Sequence, residues 1–213
     1  MNEGVNLLVG LAMGLNLVAL GSSRLPSVIR VVAIQGVLLG LLPFLLENNS
    51  PGLVTFVALI AIGVKGLLIP HLLRRAMRAA NIDREVEPFI GFVPSLLLGA
   101  GGTIAGIAGA RILPLLPEHA GTLLVPGALA AIFTGFVLLV GRTKAISQVC
   151  GYLILENGVY LFGLLLIRST PLLVESGVLL DLIVGVFVIG IIVDRIQRAF
   201  DSLDTRKLTI LRE

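Results

Sequence analysis

The sequence predicts an all-α integral membrane bundle of about seven transmembrane helices. Two observations carry that prediction. Apolar residues make up 56% of the 213-residue chain, charged residues only 14%, and the mean hydropathy is +1.04; a soluble domain carries about a quarter charged residues. The apolar residues also fall into runs of roughly 20, the length that crosses a bilayer as a helix.

In order, the predicted spans are 5–20, 29–46, 53–73, 89–113, 123–140, 145–167 and 172–193. Turn-forming groups punctuate them: Ser22-Ser23, Asn48-Asn49-Ser50-Pro51, Pro114 with Pro117, Gly141, and Ser169-Thr170-Pro171. The prolines at 43, 70 and 94 are expected near helix ends, where a missing N–H costs little. In the fourth span Gly102 and Gly106 form a small-xxx-small pair, read as a place of close helix packing. The N-terminal MNEGVNLL has no basic leader region and no cleavage site, so it is expected to begin a retained first helix. The sequence divides into a four-helix region over 1–120, a three-helix region over 121–193, and a tail over 194–213. That tail is either a docking segment or a solvated end.

Basic residues set the expected orientation. Of the 16 Lys and Arg residues, only Arg111 and Arg168 fall on one side and Lys65 inside a span. All others lie in alternate loops or the tail, which places the N-terminus outside and the C-terminus in the cytoplasm. An even number of spans would scatter them over both sides. The net charge of +3 is thus a matter of topology, not of nucleic-acid binding. The single Cys150, with only His71 and His119 beside it, provides no ligand set for an iron–sulfur cluster or structural zinc. Cys150 reads as a packing residue. No catalytic site and no cofactor site of the chain's own are expected.

Three ionisable residues lie deep in their spans. Lys65 is roughly 12 Å from the cytoplasmic end of its helix, Glu156 roughly 17 Å and Asp181 roughly 18 Å, at 1.5 Å per residue. A charge at bilayer depth costs several kcal/mol, and such a residue is a functional hypothesis by default. Low dielectric penalises the charged form of each group, which suits a relay that gains and loses protons. Gln148, Tyr152, Glu156 and Tyr160 recur every four residues and share one helix face, a candidate lining for a water chain. Glu175 is either a relay entrance or a solvated end. His71 either admits protons from the cytoplasm or is merely solvated. Gln35 needs a partner within the membrane and reads as a helix–helix contact. No inverted repeat of the secondary-transporter kind is visible.

These residues also carry a resemblance. Gly151-Tyr152-Leu153-Ile154-Leu155-Glu156-Asn157-Gly158, then Pro171-Leu172-Leu173-Val174-Glu175 and Asp181, resemble hydrogenase-4 component E. The likeness extends to Lys65-Gly66-Leu67-Leu68-Ile69-Pro70 and to Ser202-Leu203-Asp204 and Leu208-Thr209, and so covers most of the chain. The last three spans are similar to the K subunit of respiratory complex I and the C subunit of multisubunit sodium/proton antiporters. The resemblance implies that Glu156 matches the first of two midmembrane carboxylates of the K subunit. Asp181 matches the second, one methylene shorter than the Glu found there. It implies a non-catalytic subunit of the membrane arm of a formate hydrogenlyase-type or similar complex in a bacterial or archaeal cytoplasmic membrane. Its expected partners are antiporter-like subunits, a protein similar to the complex I H subunit, and hydrophilic redox subunits holding iron–sulfur clusters and a possible [NiFe] centre. The other readings are an assembly anchor of such a complex, or a subunit of a cation/proton antiporter without a redox arm.

Overall fold

The computed structural model describes residues 2–46, 52–112, 121–165 and 190. Asp181, Glu175, most of the seventh expected span and the tail lie outside the described residues. Among the described residues the chain is helical, with one isolated bridge between Arg24 and Arg84.

Helix α1 spans Asn2–Gly21 and α2 spans Leu25–Gly40, with Pro26 in its first turn. A short helix α3, Leu42–Leu46, continues α2 after a break at Leu41. Pro43 explains the break, because its ring displaces the carbonyl four residues back and it has no N–H to donate. Together they make one bent span.

The next unit runs as α4 Gly52–Gly63, a π-helical turn Val64–Leu68, and α5 Ile69–Ala79. Pro70 therefore lies in the first turn of α5, inside a continuous helical path rather than near its end. Without an N–H on Pro70 the Gly66 carbonyl loses its partner, and the ladder widens so that the Ile69 N–H bonds the Val64 carbonyl. Helix α5 is amphipathic: Leu73, Ala76 and Met77 are buried while His71, Arg74, Arg75 and Arg78 face outward. Asn81, at a φ of 52°, ends it.

Helix α6 spans Phe92–Ala110, α7 Leu124–Gly141 and α8 Ala145–Leu164. Helices α7 and α8 pack backbone to backbone: a Cβ on Gly135 would lie 2.6 Å from the Leu155 nitrogen, and one on Gly158 would lie 2.7 Å from that of Ile132. Gly106 brings α6 near α7 too, its Cβ position 3.1 Å from the Pro126 carbonyl oxygen. Among the described residues, four units are long and apolar enough to cross a membrane: α1, α2 with α3, α6 and α7. Helix α8 has the length, but Gln148, Glu156 and Asn157 interrupt its apolar run.

The core falls into two apolar clusters. One holds Ala19, Leu20, Ile29, Val32, Leu73, Ile146, Cys150 and Ile154, the other Val9, Ala12, Leu39, Leu42, Leu124 and Leu161. On α1, α2 and α8 the positions between them are polar: Asn16, Gln35, and Glu156 with Asn157. A hydrophilic layer thus crosses the bundle between two greasy halves.

The loops after α1, α5 and α7, which carry Arg24, Arg84, Arg142 and Lys144, meet at one end. The segment 80–91 pairs with the start of α2 through Leu25 N–H to the Asp83 carbonyl (3.1 Å) and Glu85 N–H to the Ser23 carbonyl (2.9 Å). It pairs with the end of α7 through Ile90 N–H to the Gly141 carbonyl (3.1 Å).

Candidate functional site

Lys65 sits in the π turn, and Glu156 sits in the middle of α8. The Lys65 Nζ lies 2.6 Å from Glu156 Oε1 and donates to Asn157 Oδ1 at 3.1 Å. It also lies 5.6 Å from the centre of the Tyr160 ring, within reach of a cation–π attraction. The carboxylate side chain is 3% exposed and the lysine side chain 12%. A cation so placed satisfies one carboxylate oxygen and one amide oxygen together, which is what a buried charge needs in order to persist.

Local structure sets this geometry. The π turn inserts an extra residue per turn just where Lys65 is carried, and π turns cluster at functional sites. Two glycines let the turn lie close on α2. A Cβ on Gly36 would come 2.8 Å from the Lys65 Cβ, and one on Gly66 would come 2.6 Å from Val37 Cγ2. The stem of Lys65 is therefore clamped against α2, leaving its terminal ammonium to reach α8.

The remaining expected residues part company. Tyr160 joins the site. Tyr152, one turn below Glu156, packs partly buried against the apolar cluster around Ile154 and Leu73. Gln148 donates to the Arg142 carbonyl at 3.0 Å, so its amide serves the loop end of the helix. His71 is exposed on α5, among the arginines. Gln35 has the partner expected of it: its Nε2 donates to Asn16 Oδ1 at 2.9 Å.

A second charged cluster escaped the sequence reading, which took Arg142 and Lys144 only as markers of topology. Glu85 is 3% exposed. Its Oε1 accepts from the Thr143 N–H (2.9 Å), the Thr143 hydroxyl (2.6 Å) and the Lys144 N–H (3.1 Å), and its Oε2 from the Ser147 hydroxyl (2.5 Å). The carboxylate thereby caps the start of α8, where the helix dipole favours an anion. Burial pushes its pKa up, but the hydroxyls of Ser147 and Thr143 and the two N–H groups outweigh that and hold it below the usual value. Arg142, 2% exposed, donates to the carbonyls of Ile90 and Leu20 and stacks 4.5 Å from the Phe92 ring centre. Burial pulls its pKa down while the Glu85 charge opposes the shift; a guanidinium stays cationic regardless. The available signal was the acid-bearing stretch Asp83, Glu85 and Glu87 before α6, with hydroxyl donors Thr143 and Ser147 at the next helix start.

No group of three or more His, Cys, Asp or Glu residues among the described residues could hold a metal ion. The site holds a pair of opposite charges within a mostly apolar interior.

The fold and this buried pair define the class first: a helical membrane protein with an ionisable site at depth. The chain belongs to the hydrogenase-4 component E family. It is 30% identical to hydrogenase-4 component E of Escherichia coli (strain K12) over 152 residues, covering 70% of this chain and 68% of that one. The protein of that name from Shigella flexneri matches to the same extent. An uncharacterized protein of Mycobacterium tuberculosis, Rv0085, is 33% identical over 192 residues, covering 89% of this chain and 87% of the relative. No family model matches the chain, and no solved structure matches it.

Proposed function

We propose that the chain is a non-catalytic membrane-arm subunit of a complex I-like, hydrogenase-4-type complex, and that Glu156 and Lys65 contribute to proton or sodium translocation coupled to redox chemistry on other subunits. The observation that carries this reading is the Lys65–Glu156 contact of 2.6 Å inside the bundle, at a π turn. A proton arriving on Glu156 discharges the pair and frees the ammonium to lean on Asn157 and the Tyr160 ring. A proton leaving Glu156 restores the pair. Electrostatic or conformational change in the redox arm would bias that exchange. Asp181 would take the next position in the layer and Glu175 an outer entrance. Iron–sulfur clusters and any [NiFe] centre would lie on hydrophilic partners, with antiporter-like and complex I H-subunit-like membrane proteins alongside. In this reading the chain crosses a cytoplasmic membrane seven times, with its N-terminus outside and its C-terminus in the cytoplasm, as the basic loops favour.

The test is Glu156→Gln in the whole complex. Translocation should fall while a native gel shows the complex assembled. Full pumping by the variant would sink the proposal.

The same contact favours a second reading, an assembly anchor. Removing one member of a buried pair leaves an uncompensated charge and costs about 3–5 kcal/mol, so a purely structural pair predicts loss of assembly in Glu156→Gln.

A further inference from the structure

We infer that Asn16, Gln35 and Thr134 form a second buried site, shaped for one water molecule, where α1, α2 and α7 meet. Its use as an extension of the proton path rests on the reading above; its existence does not.

Helices α1 and α7 run parallel. At one end the Asn6 side chain donates to the Gly121 carbonyl (3.2 Å) and accepts from the Leu123 N–H (2.8 Å); at the other, Arg142 donates to the Leu20 carbonyl. Between those ends Val9 lies against Gly127, where a Cβ would collide with it. Seven residues on, two turns along nearly the same faces, stand Asn16 on α1 and Thr134 on α7. Asn16 is 1% exposed, and Gln35 and Thr134 are fully buried.

The Gln35–Asn16 bond uses one amide group of each. Asn16 Nδ2, Gln35 Oε1 and Thr134 Oγ1 have no hydrogen-bond partner among the described residues. Buried polar atoms rarely stay so. One of the three is a donor, one an acceptor, and the hydroxyl is both. A single water can accept from Asn16, donate to Gln35, and complete its third bond with Thr134, the usual number for a buried water. A metal cation fits poorly, because the Asn16 amide turns its positive end inward.

The site adjoins the ion pair from two sides. Gly36 follows Gln35 and touches the Lys65 stem; Gly135 follows Thr134 and packs on Leu155, the residue before Glu156. A water here would carry the hydrophilic layer from α8 across to α1.

The test uses the purified complex and a cryo-EM map that resolves ordered water. A single peak within hydrogen-bond distance of all three atoms is expected, lost in Thr134→Val and kept in Thr134→Ser, which retains the hydroxyl. A side chain from residues 166–213 or a partner subunit in that place, or no peak, overturns the site; the wild-type map alone decides this if Thr134→Val does not assemble. Protons moved per electron should drop in Thr134→Val and recover in Thr134→Ser. An unchanged ratio with the peak gone overturns the extension of the path. If instead Glu156→Gln pumps fully while the peak is present, the water site stands and the proton reading falls.

Discussion

At the scale of residues, the pair is set by reach. Glu156 meets Lys65 at 2.6 Å, and shortening the acid by one methylene in Glu156→Asp should stretch that contact. The expected result is slower translocation with normal assembly, read as protons per electron beside a native gel. Asn157 holds the other side of the ammonium, so Asn157→Leu should weaken the lysine's hold and cost about 1.5–3 kcal/mol, the range for a hydrogen bond to a charged group. Thermal unfolding of the complex in detergent checks it. Glu156 and Lys65 were legible in the sequence because a charge inside an apolar run stands out against its neighbours. Asn16 and Thr134 were not, because small polar residues are common within membrane helices and only packing shows which face inward together.

At the scale of elements, Pro70 and the turn before it decide where Lys65 points. Pro70→Ala returns an N–H that can bond the Gly66 carbonyl, so the π turn should tighten toward an α-helix. That one-residue shift of register rotates Lys65 by about 100° relative to α5, away from Glu156. Such a variant should assemble but translocate poorly, and a map of the turn would show the change in register. Gly36→Ala attacks the same element from α2, since its Cβ would fall 2.8 Å from that of Lys65. Among the described residues the sequence placed the helices close to where they stand, because apolar run length marks a helix directly. It put Pro70 near a helix end, since a proline usually marks one. Here the neighbouring helix and its glycines hold the path continuous, and that is a tertiary effect.

At the scale of the whole molecule, two charged devices divide the labour. The Glu85–Arg142 cluster ties the loop 80–91 to the ends of α1 and α7 and the start of α8, outside the apolar halves of the core. Its contribution has a pH sign. The folded carboxyl lies below its unfolded value, so the stabilisation is fully present above the ordinary carboxylate range, about 4.3, and is lost as pH falls through the lower folded value. Thermal stability should therefore decline on acidification. Glu85→Gln should lower the melting temperature at neutral pH, by about 1.5–3 kcal/mol of stability, and flatten that decline. The Lys65–Glu156 pair, by contrast, lies in the layer between the clusters, where a charge adds little to stability that an apolar pair could not supply. The double variant Lys65→Met/Glu156→Leu exploits this difference, because it removes both charges and leaves neither unpaired. The measurement is protons translocated per electron by the complex carrying that variant, with assembly scored on the same preparation. The account predicts an assembled complex that turns over its redox substrates but moves fewer protons; restored assembly together with full translocation would contradict it.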